Sequence, residues 1–186
     1  MATSKKTASS RNETEAINLL ISDHKMVQKQ FKEFEKLKDG DGDDNAKGEI
    51  VQQVCTALTI HAQIEEEIFY PAVREAIGDE DLMDEAEVEH ATAKETIAQL
   101  QGMQPGDELY DAKFTVLGEY VNHHIDEEQN EMFPKVKKAK VDTAALGLEL
   151  MQRKQELEAE MGLEPDQAAK APPKQPSRKP AARMSR

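Results

Sequence analysis

The chain has 186 residues, 24 of them Lys or Arg against 37 Asp or Glu, which gives room for one domain with a proper core. Its formal net charge of −13 sets the folded body against phosphate backbones and anionic membrane surfaces. The single cysteine, Cys55, excludes an intrachain disulfide and a thiolate metal cluster, so any metal has to be held by imidazole and carboxylate.

Residues 1–12, MATSKKTASSRN, are basic and rich in Ser and Thr but lack the apolar core of a secretory signal, and they read as a flexible N-terminus. No stretch approaches the roughly 18 apolar residues of a membrane span, so the expected location is cytoplasmic. The first helical pattern opens near Asn12 or Thr14 and runs to about Lys38, with Ile17, Leu20, Ile21, Val27, Phe31 and Phe34 on one stripe. His24 interrupts that stripe. DGDGDDN, from Asp39 to Asn45, then breaks the helix; an EF-hand loop needs Gly sixth and Glu twelfth, and Asp44 and Ile50 stand there, so the segment reads as a solvated turn.

A second helix is predicted from about Gly48 to Ile77. Val51, Val54, Leu58, His61, Glu65, Ile68 and Ala72 follow one another at spacings of three and four and form its inward seam. Cys55, beside Val54 and Leu58, reads as a small buried hydrophobe. Pro71 lacks the amide for an interior helical bond and predicts a kink near Tyr70. A third helix over Asp79 to Gln101 places Met83, Ala86, His90, Ala93, Ile97 and Leu100 on its seam, closed by Gly102 to Gly106. A fourth, Asp107 to Lys140, repeats the scheme with Phe114, Leu117, Val121, His124, Glu128 and Met132, and Pro134 marks a second kink.

A shorter fifth helix, Thr143 to Met161, carries Leu146, Leu150 and Leu157 and is expected outside the bundle. From residue 163 the composition turns basic and proline-rich: five of the eight prolines fall in the last 22 residues, and six basic residues follow Asp166 with no acidic one. Such a tail buries too little apolar area to offset its ordering entropy and is expected to be disordered. Its Lys170, Lys174, Arg178, Lys179, Arg183 and Arg186 offer nucleic acid a weak electrostatic contact at most.

HAQIEEEIFYP, His61 to Pro71, is echoed by HIDEEQNEMFP, His124 to Pro134, at a constant offset of 63 positions (124 − 61), as in an internal duplication. Four helices thus each deliver a seam histidine, His24, His61, His90 and His124, and two of them add Glu65 and Glu128 one turn further on. Buried imidazoles and carboxylates cost several kcal/mol each unless paired, so six on the inner faces of one bundle call for a common partner. A pair of divalent cations supplies one; the alternative is a hydrogen-bonded polar network. Imidazole with carboxylate and no sulfur suits iron, manganese or zinc over magnesium or calcium, and iron is the expectation. Two carboxylates related by the duplication can each bridge two ions in one dinuclear centre.

On these residues the chain resembles the hemerythrin family in its bacterial HHE cation-binding branch, over about Ile17 to Val136. The matching features are His24 after Asp23, His61 with Glu65, His90 after Glu89, and His124 with Glu128. The resemblance implies an all-α, up-down four-helix bundle over residues 13–140, with residues 141–162 as an additional helix. It also implies two non-haem iron ions, oxo- or hydroxo-bridged, with Glu65 and Glu128 as the carboxylate bridges. The oxygen-carrying members of that family place a further histidine four residues after the one matching His90, where this chain has Lys94. Four histidines, two bridging carboxylates and one bridging oxygen then fill ten of about twelve octahedral positions. Glu87, three residues before His90, and His123, beside His124, are candidates for the remainder. Glu87 to His90 is also a single ExxH, the element that ferritin-like di-iron proteins carry twice, and its lack of a second copy argues against that family.

Three classes of function follow. An open iron position can bind a small oxidant (dioxygen, nitric oxide or peroxide) for sensing, scavenging or carriage, shielded by Ile64, Ile68, Leu117 and Val121, with Asp23 or Glu89 fixing imidazole tautomers. Alternatively the centre is a catalase- or peroxidase-like enzyme or a ferroxidase, with Lys94, Tyr70 and Tyr120 as proton or electron donors. A third class is an iron store, or a bundle stapled by its metal.

Overall fold

The structure, a computed structural model, describes residues 15–40, 43–139 and 141–163. The expectations for the N-terminal segment 1–12 and for the tail beyond residue 163 lie outside these described residues. Every regular element among the described residues is helical, and none is long and apolar enough to cross a membrane.

Helix α1, Ala16–Asp39, lays its seam of Ile17, Leu20, His24, Val27, Phe31 and Phe34 inward. Helix α2, Asp44–Ile64, starts four residues earlier than the apolar pattern indicates. Asp43 caps it by accepting from the Asn45 amide, and Asp44 pairs with Lys47 one turn on. The acidic run read as a turn thus also nucleates a helix.

At Pro71 the rod neither stops nor simply bends. It passes through a π-helical segment, Glu65–Phe69, and continues as α3, Tyr70–Ile77. Proline offers no amide to the fourth residue back and crowds its carbonyl; widening the preceding turn, so that the Tyr70 amide bonds the Glu65 carbonyl, relieves both. Gly78, left-handed at φ 62°, ends the rod. Helix α4, Glu80–Gln101, is capped by Asp79 accepting from the Leu82 amide.

Helix α5, Tyr110–Glu127, begins three residues later than predicted, because the chain turns through positive φ at Gly106 and at Leu109. It too runs through a π-helical segment, Glu128–Met132, into α6, Phe133–Lys138, with Pro134 in the place of Pro71 and the Phe133 amide on the Glu128 carbonyl. Helix α7, Thr143–Glu160, is capped by Asp142 and buries Leu146, Leu150 and Leu157.

The rods α1, α2–α3, α4 and α5–α6 pack in a closed ring, each beside its sequence neighbour and α5 back against α1; α7 lies across α1, α2 and the first π segment. Where α1 meets α5, Gly118 lets the backbones close in, since a Cβ there would stand 2.9 Å from Cδ1 of Phe31. Two apolar clusters fill the ring. One holds Phe69, Val73, Met83, Phe133 and the α7 leucines; the other holds Phe31, Phe34, Val54, Phe114 and Leu117. Between them lie the buried histidines His24, His61, His90 and His124 and the glutamates Glu65 and Glu128.

Candidate metal centre

All six predicted ligands come together. His24, His61, His90 and His124 are at most 7% exposed, Glu65 0% and Glu128 1%, and each imidazole turns Nε2 inward. His24 and His61 approach Nε2 to Nε2 at 3.0 Å, with Glu128 3.1 Å from His24 and Glu65 3.2 Å from His61. On the other side His90 and His124 stand 3.1 Å apart, with Glu65 3.5 Å from His90 and Glu128 3.7 Å from His124. Each glutamate therefore faces both histidine pairs.

Two observations test whether a metal fits. Ligand distances of about 2.1 Å place neighbouring octahedral donors about 3 Å apart, which is the spacing of these atoms before any ion draws them in. More decisively, both oxygens of Glu65 and one of Glu128 are buried and meet only imidazole Nε2 atoms, at 3.1 to 3.7 Å, without a well-aligned hydrogen bond. Buried carboxylate oxygens that face only other ligating atoms call for a shared cation, a proton or a metal ion, between them. The donors form a four-residue group of His24, His61, Glu65 and Glu128 and a three-residue group of Glu65, His90 and His124. The two groups share Glu65.

The outer ring nitrogens are oriented from behind. Glu66 lies 2.9 Å from Nδ1 of His90, Glu89 2.8 Å from Nδ1 of His124, and the Gln129 amide 3.0 Å from Nδ1 of His24. Asp23, at 3.6 Å from Nδ1 of His61, is the most distant of the four. Asp23 and Glu89 were legible as candidates for this task. Glu66 and Gln129 follow their own glutamate ligands by one position and carried no distinguishing signal.

Burial penalises every charge here, and neighbours decide which groups keep one. Burial opposes the imidazolium of His61, yet Glu65 and Asp23 hold it up to about 10; His124 is likewise opposed and held at about 9 by Glu128 and Glu89. His90 drops to about 4 through burial and the His124 charge, and His24 is lowered, chiefly by burial. Burial and the Glu128 charge lift Glu65 to about 7. Burial also opposes ionisation of Glu128, but His124 and His24 outweigh it and hold that carboxyl well below the usual range. Protons on His61 and His124 thus stand in for cations in the metal-free centre.

Tyr70, considered from sequence as a donor, sits in the centre itself. Its hydroxyl donates to Glu128 at 3.1 Å and lies 3.2 Å from Nε2 of His90 and 3.4 Å from Nε2 of His124. The i to i+5 bond of the π segment brings it there, directly beyond Glu65. Its counterpart in the duplication is Phe133, whose ring stacks on His24 at 6.0 Å.

Other candidates stay outside. The Glu87 carboxylate is 60% exposed and pairs with Arg74; three positions before His90 it has rotated off the seam, and the guanidinium holds it at the surface. His123 is 65% exposed, 3.2 Å from Glu127 and 3.8 Å from Glu89. Lys94 reaches out to Glu66 at 2.6 Å, linking it through that carboxylate to His90. A cavity of about 40 Å³ opens onto the four imidazoles, walled by Val27, Leu58, Ile97, Val121 and Ile125, with Lys94 and Tyr120 also among its lining. Of the four walls expected from sequence only Val121 lines it. Ile64 and Ile68 pack in the opposite cluster, on the far side of the carboxylates, and Leu117 lies deeper along α5.

A family model for the hemerythrin HHE cation binding domain matches residues 15–136. A DNA nickase from a Nostoc species is 26% identical over 120 residues, 64% of this chain and 33% of its own length, so the chain spans about a third of that protein. The crystal structure of a hemerythrin HHE cation binding domain-containing protein from Mycobacterium kansasii aligns with a TM-score of 0.64 at 19% identity, over 78% of this chain and 88% of that one, a likeness of fold. With two thirds of its length under the family model and the HHE residues gathered at its core, the chain belongs to the hemerythrin HHE cation-binding domain family.

Proposed function

We propose that the chain is a non-haem di-iron protein that binds a small oxidant, dioxygen, nitric oxide or peroxide, beside its buried histidines. One observation carries this reading: a small apolar cavity ends on the imidazoles of two donor groups that share Glu65. His24 and His61 would hold one ion, His90, His124 and Tyr70 the other, with Glu65 and Glu128 between them. When bound, such a pair supplies and takes back two electrons at one site.

The remaining chemistry belongs to the chain. We assign to Tyr70 the donor position left by Lys94, because its oxygen lies 3.2 Å from Nε2 of His90 and 3.4 Å from Nε2 of His124. Four imidazoles, two shared carboxylates and one phenol would supply nine of the about twelve donor positions that two such ions take, leaving room for solvent and one exogenous ligand. A cavity of about 40 Å³ admits a molecule of two or three heavy atoms, since a single water needs about 10–15 Å³. Val27, Leu58, Ile97, Val121 and Ile125 exclude bulk water from it. Glu66, bonded to both Lys94 and His90, links the Lys94 ammonium in the cavity lining to the outer nitrogen of His90, and this specific feature supports the second reading, peroxide turnover.

The test begins with metal content: protein purified without added metal should carry about two irons per chain. Reduced protein should then take up nitric oxide or dioxygen with an absorbance change that reverses when the gas is removed. Irreversible oxidation by dioxygen together with repeated consumption of peroxide selects the enzyme reading, and a chain that retains no metal refutes both.

A further inference from the structure

Helix α7 lies beyond residues 15–136 and yet touches the centre. Leu146, Leu150 and Leu157 seat it, Arg153 bonds Glu67 in the first π segment at 2.7 Å, and Lys154 bonds Asp23 at 2.6 Å. Asp23 is the outer partner of His61. Its Oδ1 is taken by the Lys154 ammonium, while its Oδ2 stands 3.6 Å from Nδ1 of His61, too far for a hydrogen bond, and that nitrogen is buried without one. The Lys154 side chain is 22% exposed and that of Asp23 12%, so the pair interacts with little screening by solvent. The corresponding contacts to His24, His90 and His124 are all 3.0 Å or shorter. Of the four imidazoles, His61 is the one whose outer bond is drawn away from it.

An anionic acceptor on the outer nitrogen makes a metal-bound imidazole a stronger donor and favours the higher charge on the metal. A carboxylate committed to an ammonium does this less. We infer that α7 is a control element of the metal centre: Lys154 is a positioning residue that draws Asp23 off His61 and so keeps the reduction potential of the His24–His61 side high. The inference rests on the di-iron reading. It assigns a function to a helix that the family domain does not include.

The experiment compares midpoint potentials of iron-loaded wild type, Lys154→Met, Lys154→Arg and Arg153→Met, with thermal melting of the same samples. Releasing Asp23 onto His61 should lower the potential in Lys154→Met, and Lys154→Arg should restore it. Arg153→Met removes an equal charge from the same helix, but its partner Glu67 touches no histidine; it should lower the melting temperature and leave the potential at the wild-type value. An unchanged or raised potential in Lys154→Met overturns the inference, as does an equal shift in Arg153→Met, which would reduce the effect to helix charge. Wild type without two irons overturns the di-iron reading itself, and with it the inference.

Discussion

Glu65→Gln should stabilise the metal-free protein and abolish the metal site, two effects of opposite sign from one isosteric change. In the metal-free centre the Glu65 carboxyl rises from an ordinary 4.5 to about 7. At about 1.4 kcal/mol per pH unit, that difference sets about 3 kcal/mol of the folding free energy against the ionised form. Because the folded value is the raised one, the penalty is absent below about pH 4.5, grows between 4.5 and 7 and is complete above 7. Glutamine removes the charge and brings amide donors into a cluster with surplus acceptors. With chelator at pH 8 the variant should therefore melt above wild type by about 6 to 12 °C, at about 2–4 °C per kcal/mol for a chain of this size, and the gain should vanish at pH 4.5. With metal supplied, wild type should gain stability and the variant should not, since the lost carboxylate is the donor that both groups share. Calorimetry with and without chelator, alongside metal analysis, reads both effects. A chelated variant that melts below wild type at pH 8, or one that keeps the full metal complement, refutes the reasoning.

Tyr70→Phe should remove a visible charge-transfer band from the iron-loaded protein while leaving the bundle folded, because the hydroxyl alone is lost; in chelator it should cost about 1–3 kcal/mol, the worth of a hydrogen bond to a charged acceptor, measured by denaturant titration. Glu87→Gln and His123→Ala should leave metal content at the wild-type value, since both side chains face solvent; a loss of one ion in either would place it back among the ligands. The metal-free protein should lose stability as pH rises toward 9 and 10. The raised values of His124 and His61 mean that their charged forms stabilise the fold fully below about 6.5 and progressively less above it, while metal uptake should tighten over the same range as those protons leave. Leu150→Ala should cost about 2–5 kcal/mol by opening a cavity under α7, read by thermal melting.

The buried cluster of histidines and glutamates was legible because it violated a pattern. Apolar seams at spacings of three and four predict burial for every member, and four histidines and two glutamates stood on those seams with nothing else to explain them. The bundle was legible for the same reason, since Leu20, Phe34, Val54, Met83, Phe114 and Leu117 mark inward faces by periodicity alone. Tyr70 was not legible as a member of the centre. In an α-helix five positions turn the chain by about 500°, which leaves residue 70 about 140° away from residue 65. The sequence signalled a break at Pro71, but a kink and a π turn share that signal, and only the second returns Tyr70 to the face of Glu65. Nor does spacing along one helix report which side chain on another lies behind an imidazole, so Glu66 and Gln129 were invisible. Glu87 misled because three positions on a helix suggest a shared face, while the competing Arg74 comes from a different rod.

The two halves of the near-repeat place Tyr70 and Phe133 at equivalent points, Tyr70 against His90 and His124 and Phe133 against His24, so at this position they differ by a single oxygen atom. That atom gives the centre a polarity. The His90–His124 side is backed by a hydroxyl that can donate a proton or an anionic oxygen, whereas the His24–His61 side is backed by a hydrocarbon ring that can do neither. Two identical ions placed there would not remain equivalent. The near-repeat supplies the pair, and its breaking here, as at Glu66 and Gln129 behind the imidazoles, gives the two sides different chemistry.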